Sequence, residues 1–179
     1  MTTSLASLQL LCPECRAALI LDSELHCKNG HEFRRQGSLW DLLPKSLSVL
    51  TAEEGRYHAE QKETWIEQNQ INAVRNLDAH QSFLEIIADL CNRSSNILEM
   101  GGGVGFDMKL LLQMVRGFQV YVFSEVSLEL VAFAELEATG DNLVFCTLDA
   151  QRIPFADSQF DCVFMVAAFH HLPDMNERL

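Results

Sequence analysis

The chain has 179 residues, an apolar content of 48% and a formal net charge of −12. This is enough for one substantial core and a small additional module, but no apolar stretch approaches the roughly 20 residues that a membrane-spanning helix needs. The negative charge disfavours binding to the phosphate backbone of nucleic acids. The N-terminal residues lack the basic region of a signal peptide, so we expect a cytoplasmic, reducing location in which the six cysteines stay free.

Near the N-terminus, four residues of metal-ligating types lie close together: Cys12, Cys15, Cys27 and His31. Two residues separate the first pair and three separate the second, with eleven residues between the pairs. Two knuckles of this spacing can supply the four ligands of a closed structural zinc site. His26 is a competing ligand, although Cys27 completes the better spacing. We therefore predict a zinc-binding β module over residues 1–48, with a core of its own.

From Leu8 to Pro44 this module resembles two families. One is the Trm112-type zinc-binding activator of methyltransferases, here joined to the chain that it would activate, although His31 replaces that family's final cysteine. The other is the zinc-ribbon N-terminus of the bacterial 23S rRNA guanine-N1 methyltransferases, whose fourth ligand is also a histidine. The second resemblance implies an RNA substrate, and a shared basic patch of Arg16, Lys28, Arg34 and Arg35 would favour it.

Residues 49–95 are predicted to form a linker and N-terminal helices, the first beginning at about Ala52. The second helix is amphipathic, and its predicted buried face consists of Phe83, Ile86, Ile87 and Leu90. The aromatic side chains before it either pack within this region, which we favour, or form a lid over a ligand: Tyr57, His58 and Trp65. Three further cysteines are predicted to be small buried residues: Cys91, Cys146 and Cys162.

The stretch ILEMGGGVGFD, residues 97–107, indicates a buried strand followed by a glycine-rich turn and a helix from Phe106 to Val115. Glycine lets the backbone approach a ligand closely, and the start of the helix offers free N–H groups. Phe106 breaks the G-x-G-x-x-G pattern of dinucleotide-binding proteins. The pattern is instead an acid followed by glycines at alternate positions: Glu99, Gly101, Gly103 and Gly105.

Three more strands are predicted after this turn. The second strand ends at Glu125, twenty positions after Gly105, where one carboxylate can accept both hydroxyls of a ribose. The third ends at Asp149, and the fourth spans Phe160 to Ala168. The fourth strand is apolar on both faces apart from Asp161, as is typical of a strand buried within a parallel sheet.

The run from Asn96 to Asp174 resembles the class I S-adenosylmethionine (SAM) dependent methyltransferases, especially those of ubiquinone and menaquinone biosynthesis (methyltransferase type 11). The resemblance implies that Glu99 and the glycines Gly101, Gly102, Gly103 and Gly105 hold the methionine part of SAM. It also implies that Glu125 holds the ribose, that Asp149 and Ala150 meet the adenine edge, and that Val126 lies along the adenine ring. The alternative for Asp149 is a turn cap, and that for Val126 is a core position.

The fold class is therefore predicted to be α/β: a Rossmann-like methyltransferase sheet over residues 96–179, preceded by the zinc module. Sheets of this family have about seven strands in the order 3-2-1-4-5-7-6, of which only the first four are expected here. The chain would then be a fragment, be completed by another chain, or bind SAM without turnover. An uncovered fourth strand is a template for pairing, so we expect the chain either to form a homo-oligomer through that edge or to be poorly soluble.

His170 and His171 follow the fourth strand, at the edge where acceptors enter in this family, and are the candidate catalytic bases. Their alternatives are a turn cap and a packing residue. The favoured function is methyl transfer to a small-molecule acceptor through oxygen or carbon, because the motif of exocyclic-amine methyltransferases is missing. An RNA methyltransferase and a non-catalytic SAM-binding module are the alternatives.

Overall fold

The structure is a computed structural model that describes residues 5–22, 24–75 and 77–172. In these residues the α-helices are α1 (Val49–Glu60), α2 (Lys62–Arg75), α3 (Leu77–Cys91), α4 (Phe106–Met114) and α5 (Leu128–Glu137). The N-terminal strands are β1 (Leu19–Leu21), β2 (Leu25–Cys27), β3 (Glu32–Phe33), β4 (Arg35–Gln36) and β5 (Leu39–Asp41). The later strands are β6 (Asn96–Met100), β7 (Val120–Glu125), β8 (Leu143–Thr147) and β9 (Cys162–Phe164). None of these helices combines the length and the apolar character needed to cross a bilayer.

The main sheet has six strands in the order β4-β5-β8-β7-β6-β9. Strands β5, β8, β7, β6 and β9 are parallel to one another, and β4 pairs with β5 in the antiparallel direction. The order β8-β7-β6-β9 is the predicted 3-2-1-4, which is confirmed. The carboxyl ends of parallel strands meet at one edge of a sheet, and ligands of open α/β folds bind outside that edge.

The N-terminal residues are not a separate unit with its own core, contrary to our prediction. Strands β1, β2 and β3 form a small antiparallel sheet, but β5 joins the main sheet as a parallel neighbour of β8. There Trp40 pairs with Cys146, and the Thr147 hydroxyl donates to Asp41 Oδ1 at 2.6 Å. The N-terminal module therefore extends the sheet.

Alternate residues of the central strands pack into two different cores, as the period of two in a strand requires. On one face Leu98, Val122 and Cys146 pack against residues of the N-terminal module such as Leu25 and Leu42. On the other face, Ile97, Tyr121, Phe123 and Phe145 pack against α3, α4 and α5. The N-terminal module thus covers one face of the sheet and helices cover the other.

Two predicted burial patterns are wrong. In α3 the buried residues are Leu84, Ile87, Ala88 and Cys91, whereas Phe83, Ile86 and Leu90 are exposed. The fourth strand is only the three residues of β9, and its Val163 is 50% exposed, because β9 lies at the edge of the sheet. Cys91 and Cys146 are buried as predicted, but Cys162 on β9 is only partly buried.

Candidate functional site

A cleft of about 270 Å³ lies at the carboxyl ends of β6, β7 and β8. The glycine turn after β6 forms one wall, and the residues that follow β7 and β8 form the floor. Helices α1 and α2 contribute Glu54, His58 and Trp65, and the segment after β9 contributes residues 165–168 and His171. Seven of the nine predicted cofactor-binding residues line this cleft: Gly101, Gly102, Gly103, Glu125, Val126, Asp149 and Ala150.

The four glycines of the turn have two kinds of surroundings: three are packed against neighbouring residues and one has open space beside it. A Cβ at Gly101, Gly102 or Gly105 would lie only 2.4, 2.1 or 2.7 Å from an atom of Ala168, Phe123 or Ala134, so these three positions are packed against neighbours. A Cβ at Gly103 would meet nothing within 4 Å, although φ there is +57°. Gly103 is therefore the position of the turn whose backbone has open space beside it for a ligand. Gly105 does not line the cleft and instead begins α4 in the left-handed conformation.

The Glu125 carboxylate is fixed at the tip of β7 by two backbone N–H groups. Gly103 donates to Oε2 at 3.1 Å and Val126 donates to Oε1 at 2.6 Å. The side chain is 8% exposed and lines the cleft. Each oxygen keeps a further lone pair, so the carboxylate can accept a pair of ligand hydroxyls in a preset orientation.

Glu99 lies behind the glycine turn rather than in the cleft. Its carboxylate is 1% exposed and accepts a hydrogen bond of 2.6 Å from the Tyr121 hydroxyl. Burial raises its pKa to about 8, and the nearby carboxylates of Asp107 and Glu125 act in the same direction. The Glu99 carboxyl group therefore pairs with Tyr121 of β7 and does not line the cleft, so this geometry does not provide the predicted direct contact with the methionine part of SAM.

Asp149 both caps a turn and lines the cleft. Its Oδ1 accepts the N–H of Gln151 at 2.9 Å, which is the turn-cap role that was the alternative to ligand binding. The side chain is 4% exposed, and the residue lies on the cleft floor beside Ala150. One residue therefore holds the loop after β8 and presents an acid to the cleft.

The lining of the cleft is acidic. It contains four carboxylates and, among the described residues, no lysine or arginine: the acids are Glu54, Asp107, Glu125 and Asp149. Such a lining attracts a cationic ligand and repels a pyrophosphate. The basic residues of the N-terminal module do not compensate, since Arg16 donates to the carbonyl of Ile153 and Arg35 lies over the Trp40 ring.

Of the two candidate bases, only His171 lines the cleft, and the structure does not place His170 there. His171 Nδ1 lies 3.3 Å from Glu54 Oε2, and His58 Nε2 lies 3.4 Å from the same oxygen. Pro173 and Asp174, the end of the motif that contains these histidines, lie outside the described residues. His58 and Trp65 line the cleft, so the favoured reading of them as packing residues alone is too narrow, whereas Tyr57 is half exposed.

The predicted metal ligands Cys12, Cys15, Cys27 and His31 converge, with all ligand atoms within 4.8 Å of one another. His31 Nδ1 is 3.4 Å from the sulfurs of both Cys12 and Cys27, and the Cys15 and Cys27 sulfurs are 3.8 Å apart. Zinc bonds of about 2.3 Å to sulfur and about 2.0 Å to nitrogen give tetrahedral edges of about 3.8 Å between sulfurs and about 3.5 Å between sulfur and nitrogen. The four residues can therefore hold a tetrahedral metal ion with little movement.

Hydrogen bonds favour the thiolate form of Cys15, which is the form that binds metals. The backbone N–H of Ala17 and the side-chain amide of Asn29 lower its pKa to about 6, and the amide nitrogen lies 3.1 Å from the sulfur. Burial instead raises the pKa of Cys12 to about 11. His26 is not a member of the group and lies beside Asp22.

Sequence reasoning missed Glu54 and Asp107. Asp107 is in the first turn of α4, and its Oδ1 lies 2.7 Å from His80 Nε2. Glu54 and His58 are four residues apart on α1, so the helical spacing already places them on one face. What the spacing cannot indicate is that this face lies over the glycine turn, with Gly55 against Val126.

Comparison with known proteins finds similarities for the part of the chain that supplies most of the cleft lining. Residues 98–179 match a family model described as a methyltransferase domain. Two C-methyltransferases of ubiquinone/menaquinone biosynthesis, from Rickettsia typhi and Rickettsia prowazekii, are each 28% identical over 103 residues. These alignments cover 53% of this chain and 41% of each relative, so the chain spans about two fifths of their length.

A solved structure shares the fold. It belongs to the complex between the Haloferax volcanii Trm112 methyltransferase activator and a methyltransferase, with a TM-score of 0.52 at 20% identity. The match covers 65% of this chain and 50% of that one. At this identity the likeness concerns the fold alone, which is Rossmann-like as predicted.

Proposed function

We propose that this chain, whose residues 98–179 carry a methyltransferase domain, binds SAM in the cleft and transfers its methyl group to a small-molecule acceptor. The observation that carries the proposal is the cleft lining of glycine backbone and four carboxylates without lysine or arginine among the described residues. SAM presents a sulfonium and an ammonium group, whereas dinucleotide cofactors present a pyrophosphate, so this lining favours SAM.

The proposed position of SAM follows from the fixed groups of the cleft. Glu125 binds the two ribose hydroxyls, because two N–H groups already hold its carboxylate at the tip of β7. The backbone at Gly103 meets the methionine part, where there is open space. Asp149 and Ala150 meet the adenine edge, and Val126 lies along the ring.

The acceptor then enters between α1 and the segment after β9. Methyl transfer from a sulfonium needs the acceptor in line with the methyl group and, for some acceptors, removal of a proton. The Rickettsia relatives are named as C-methyltransferases, which supports the carbon acceptor over the oxygen one. Trp65 supplies a further contact, because its buried Nε1–H has no hydrogen-bond partner among the described residues and can donate to an oxygen atom of the acceptor molecule.

Calorimetry with SAM on the purified chain tests the cofactor assignment. Glu125→Ala should weaken SAM binding by about 1 to 3 kcal/mol, because the ribose hydroxyls lose a charged acceptor. Glu129→Ala is the matched control, since it removes a carboxylate from the same segment at an exposed position outside the cleft. Equal affinity in the two variants would contradict the role of Glu125, and tight binding of NADH in place of SAM would contradict the proposal itself.

We further propose that the Cys12, Cys15, Cys27 and His31 group binds one structural zinc ion and that this module supports the methyltransferase sheet within the same chain. The shared core and the pairing of β5 with β8 are the supporting observations. Elemental analysis should find zinc, and Cys15→Ser should lower its content and reduce the stability of the whole chain. Cys162→Ser is the control, a cysteine outside the group. A Cys15→Ser chain with undiminished zinc would contradict the assignment.

A further inference from the structure

A second cluster of ligand-type side chains lies at the other end of the cleft. It consists of Glu54, His58 and His171, whose ligand atoms all lie within 4.8 Å of one another. One carboxylate oxygen, Glu54 Oε2, faces both rings, and the ring centroids are 4.9 Å apart at an interplanar angle of 85°. All three side chains are partly buried and all three line the cleft.

The cluster is assembled from two parts of the chain. Glu54 and His58 lie one turn apart on α1, a spacing that by itself is a common surface ion pair. His171 comes from the turn after β9, more than 110 residues away, and reaches the same oxygen at 3.3 Å. An ion pair would need only one histidine, so the arrival of a second one suggests a different use of the carboxylate.

We propose that Glu54, His58 and His171 bind one divalent transition-metal ion, a site distinct from the cysteine group. Zinc bonds of about 2.05 Å to nitrogen and oxygen give tetrahedral ligand separations of about 3.3 Å. The two separations that involve Glu54 Oε2 are 3.4 and 3.3 Å. The two separations at this oxygen therefore match those around a tetrahedral ion, and the third, between the two ring nitrogens, is at most 4.8 Å.

The ligand types select the class of ion. Two imidazoles and one carboxylate suit Zn²⁺, Fe²⁺, Co²⁺ or Ni²⁺, whereas Mg²⁺ and Ca²⁺ prefer oxygen ligands. Three protein ligands leave a coordination position open, in contrast to the four of the cysteine group. Since all three residues line the cleft, that position is available to a molecule bound there.

The site has a consequence that rests on the proposed function. A metal-bound His171 has no lone pair left to accept a proton, so metal binding and the base role of His171 exclude each other. An acceptor hydroxyl at the open position would have a lowered pKa, because the ion would stabilise its oxyanion, and its proton would pass to water. Glu54, His58 and His171 would then hold the ion that activates the acceptor, in place of a histidine base.

Cobalt binding tests the site without SAM and without any measurement of activity. The full chain is first freed of metal and given one equivalent of Zn²⁺, which the thiolates of the cysteine group bind in preference to the cluster without soft ligands, and is then titrated with Co²⁺. We expect one equivalent of Co²⁺ to bind with visible d–d absorption bands and without thiolate-to-cobalt charge transfer. Failure of SAM binding in the earlier experiment would leave this result unaffected, so the two proposals fail separately.

Glu54→Gln, His58→Gln and His171→Gln should each weaken this Co²⁺ binding by roughly 100-fold or more, since each removes a direct ligand. His80→Gln is the matched control: a partly buried histidine that pairs with Asp107 and lies outside the cluster, so its replacement should leave the affinity within about twofold. Circular dichroism identifies any variant that is unfolded, and the Co²⁺ affinities of the folded variants then test whether these residues bind the ion. Absence of saturable Co²⁺ binding, or equal binding in Glu54→Gln and wild type, would overturn the proposal.

Discussion

The buried carboxyl group of Glu99 should make the stability of the protein depend on pH in an unusual direction. Most acids that are paired in a folded protein have lowered pKa values and stabilise the fold at neutral pH. Glu99 is 1% exposed, accepts its hydrogen bond from Tyr121, and has its pKa raised from 4.5 to about 8, mainly by burial. At neutral pH it is therefore mostly protonated in the folded chain and ionised in the unfolded chain.

The sign and size of the effect follow from this difference. Between pH 4.5 and 8 the folded state binds one proton more than the unfolded state, so the free energy of unfolding falls as the pH rises. Its contribution is fully present below pH 4.5 and is lost as the pH rises through about 8. The slope is about 1.4 kcal/mol per pH unit, which gives a loss of about 2.5 kcal/mol between pH 5 and pH 7.

Glu99→Gln removes the titration while keeping the shape of the side chain and a partner for the Tyr121 hydroxyl. Urea unfolding of both proteins at pH 5, 6, 7 and 8, with equal zinc content, should show a stability difference that moves in favour of the glutamine variant as the pH rises. Other titrating groups cancel in this difference. Parallel curves for wild type and variant over this range would refute the reasoning, because they would mean that Glu99 ionises in the folded chain as it does in the unfolded one.

Gly101→Ala should lower the free energy of unfolding by about 2 to 4 kcal/mol. The new Cβ would lie 2.4 Å from that of Ala168, and alanine would be held in the left-handed backbone conformation. Gly103→Ala should cost only about 1 to 2 kcal/mol, since strain is its sole penalty, and equal losses in urea unfolding would contradict the distinction. Asp161→Asn should destabilise the chain at pH 7, because the N–H groups of Asn96 and Ser95 lower the pKa of this carboxyl. The stabilisation is present above the ordinary pKa of 3.8 and disappears on acidification through the lowered pKa, so unfolding curves that show a pH-independent difference would be inconsistent with it. Ser127→Ala should cost about 1 kcal/mol in thermal unfolding, because Ser127 caps α5 by accepting the N–H of Leu130, and an unchanged midpoint would count against the cap.

The strands of the central sheet could be predicted because each strand, turn and helix from Asn96 to Thr147 has its own local pattern, and their order followed from the resemblance to the class I methyltransferases. The buried face of α3 could not be predicted. Phe83, Ile86 and Leu90 form one apolar stripe and Leu84, Ile87 and Cys91 form another beside it, so the periodicity fits both. Only the position of the sheet decides between them, and it selects the second stripe.

The pairing of β5 with β8 shows a different limit. Leu39–Asp41 is a three-residue strand, and its partner lies more than 100 residues further along the chain. Nothing local in such a short segment distinguishes a strand of the N-terminal module from a strand of the main sheet. Residues 1–48 carry five basic and five acidic side chains, so the whole net charge of −12 lies after them. This change in charge and the start of α1 at Val49 both suggest separate units, whereas the packing joins them into one core.

Whether a residue of the cleft could be predicted depended on whether the topology of the sheet alone places it there. Glu125 and Asp149 each follow a strand of a parallel sheet, so topology alone brings them to one edge. Glu54 and His58 reach the cleft only through the way α1 lies across that edge, which depends on packing such as that of Gly55 on Val126.

The glycine motif was identified as a backbone that a ligand can approach closely, and this explains only one of its glycines. Its pattern suggested a backbone left bare for a ligand, yet at Gly101, Gly102 and Gly105 neighbouring side chains already fill the space that a Cβ would take. Only Gly103 has open space beside it, and its N–H helps to hold the ribose-binding candidate Glu125. Loss of activity on substitution of the other three glycines would therefore report a disturbed turn. A SAM affinity that falls more than stability does, when Gly103 is changed, is the observation that connects this motif to the ligand.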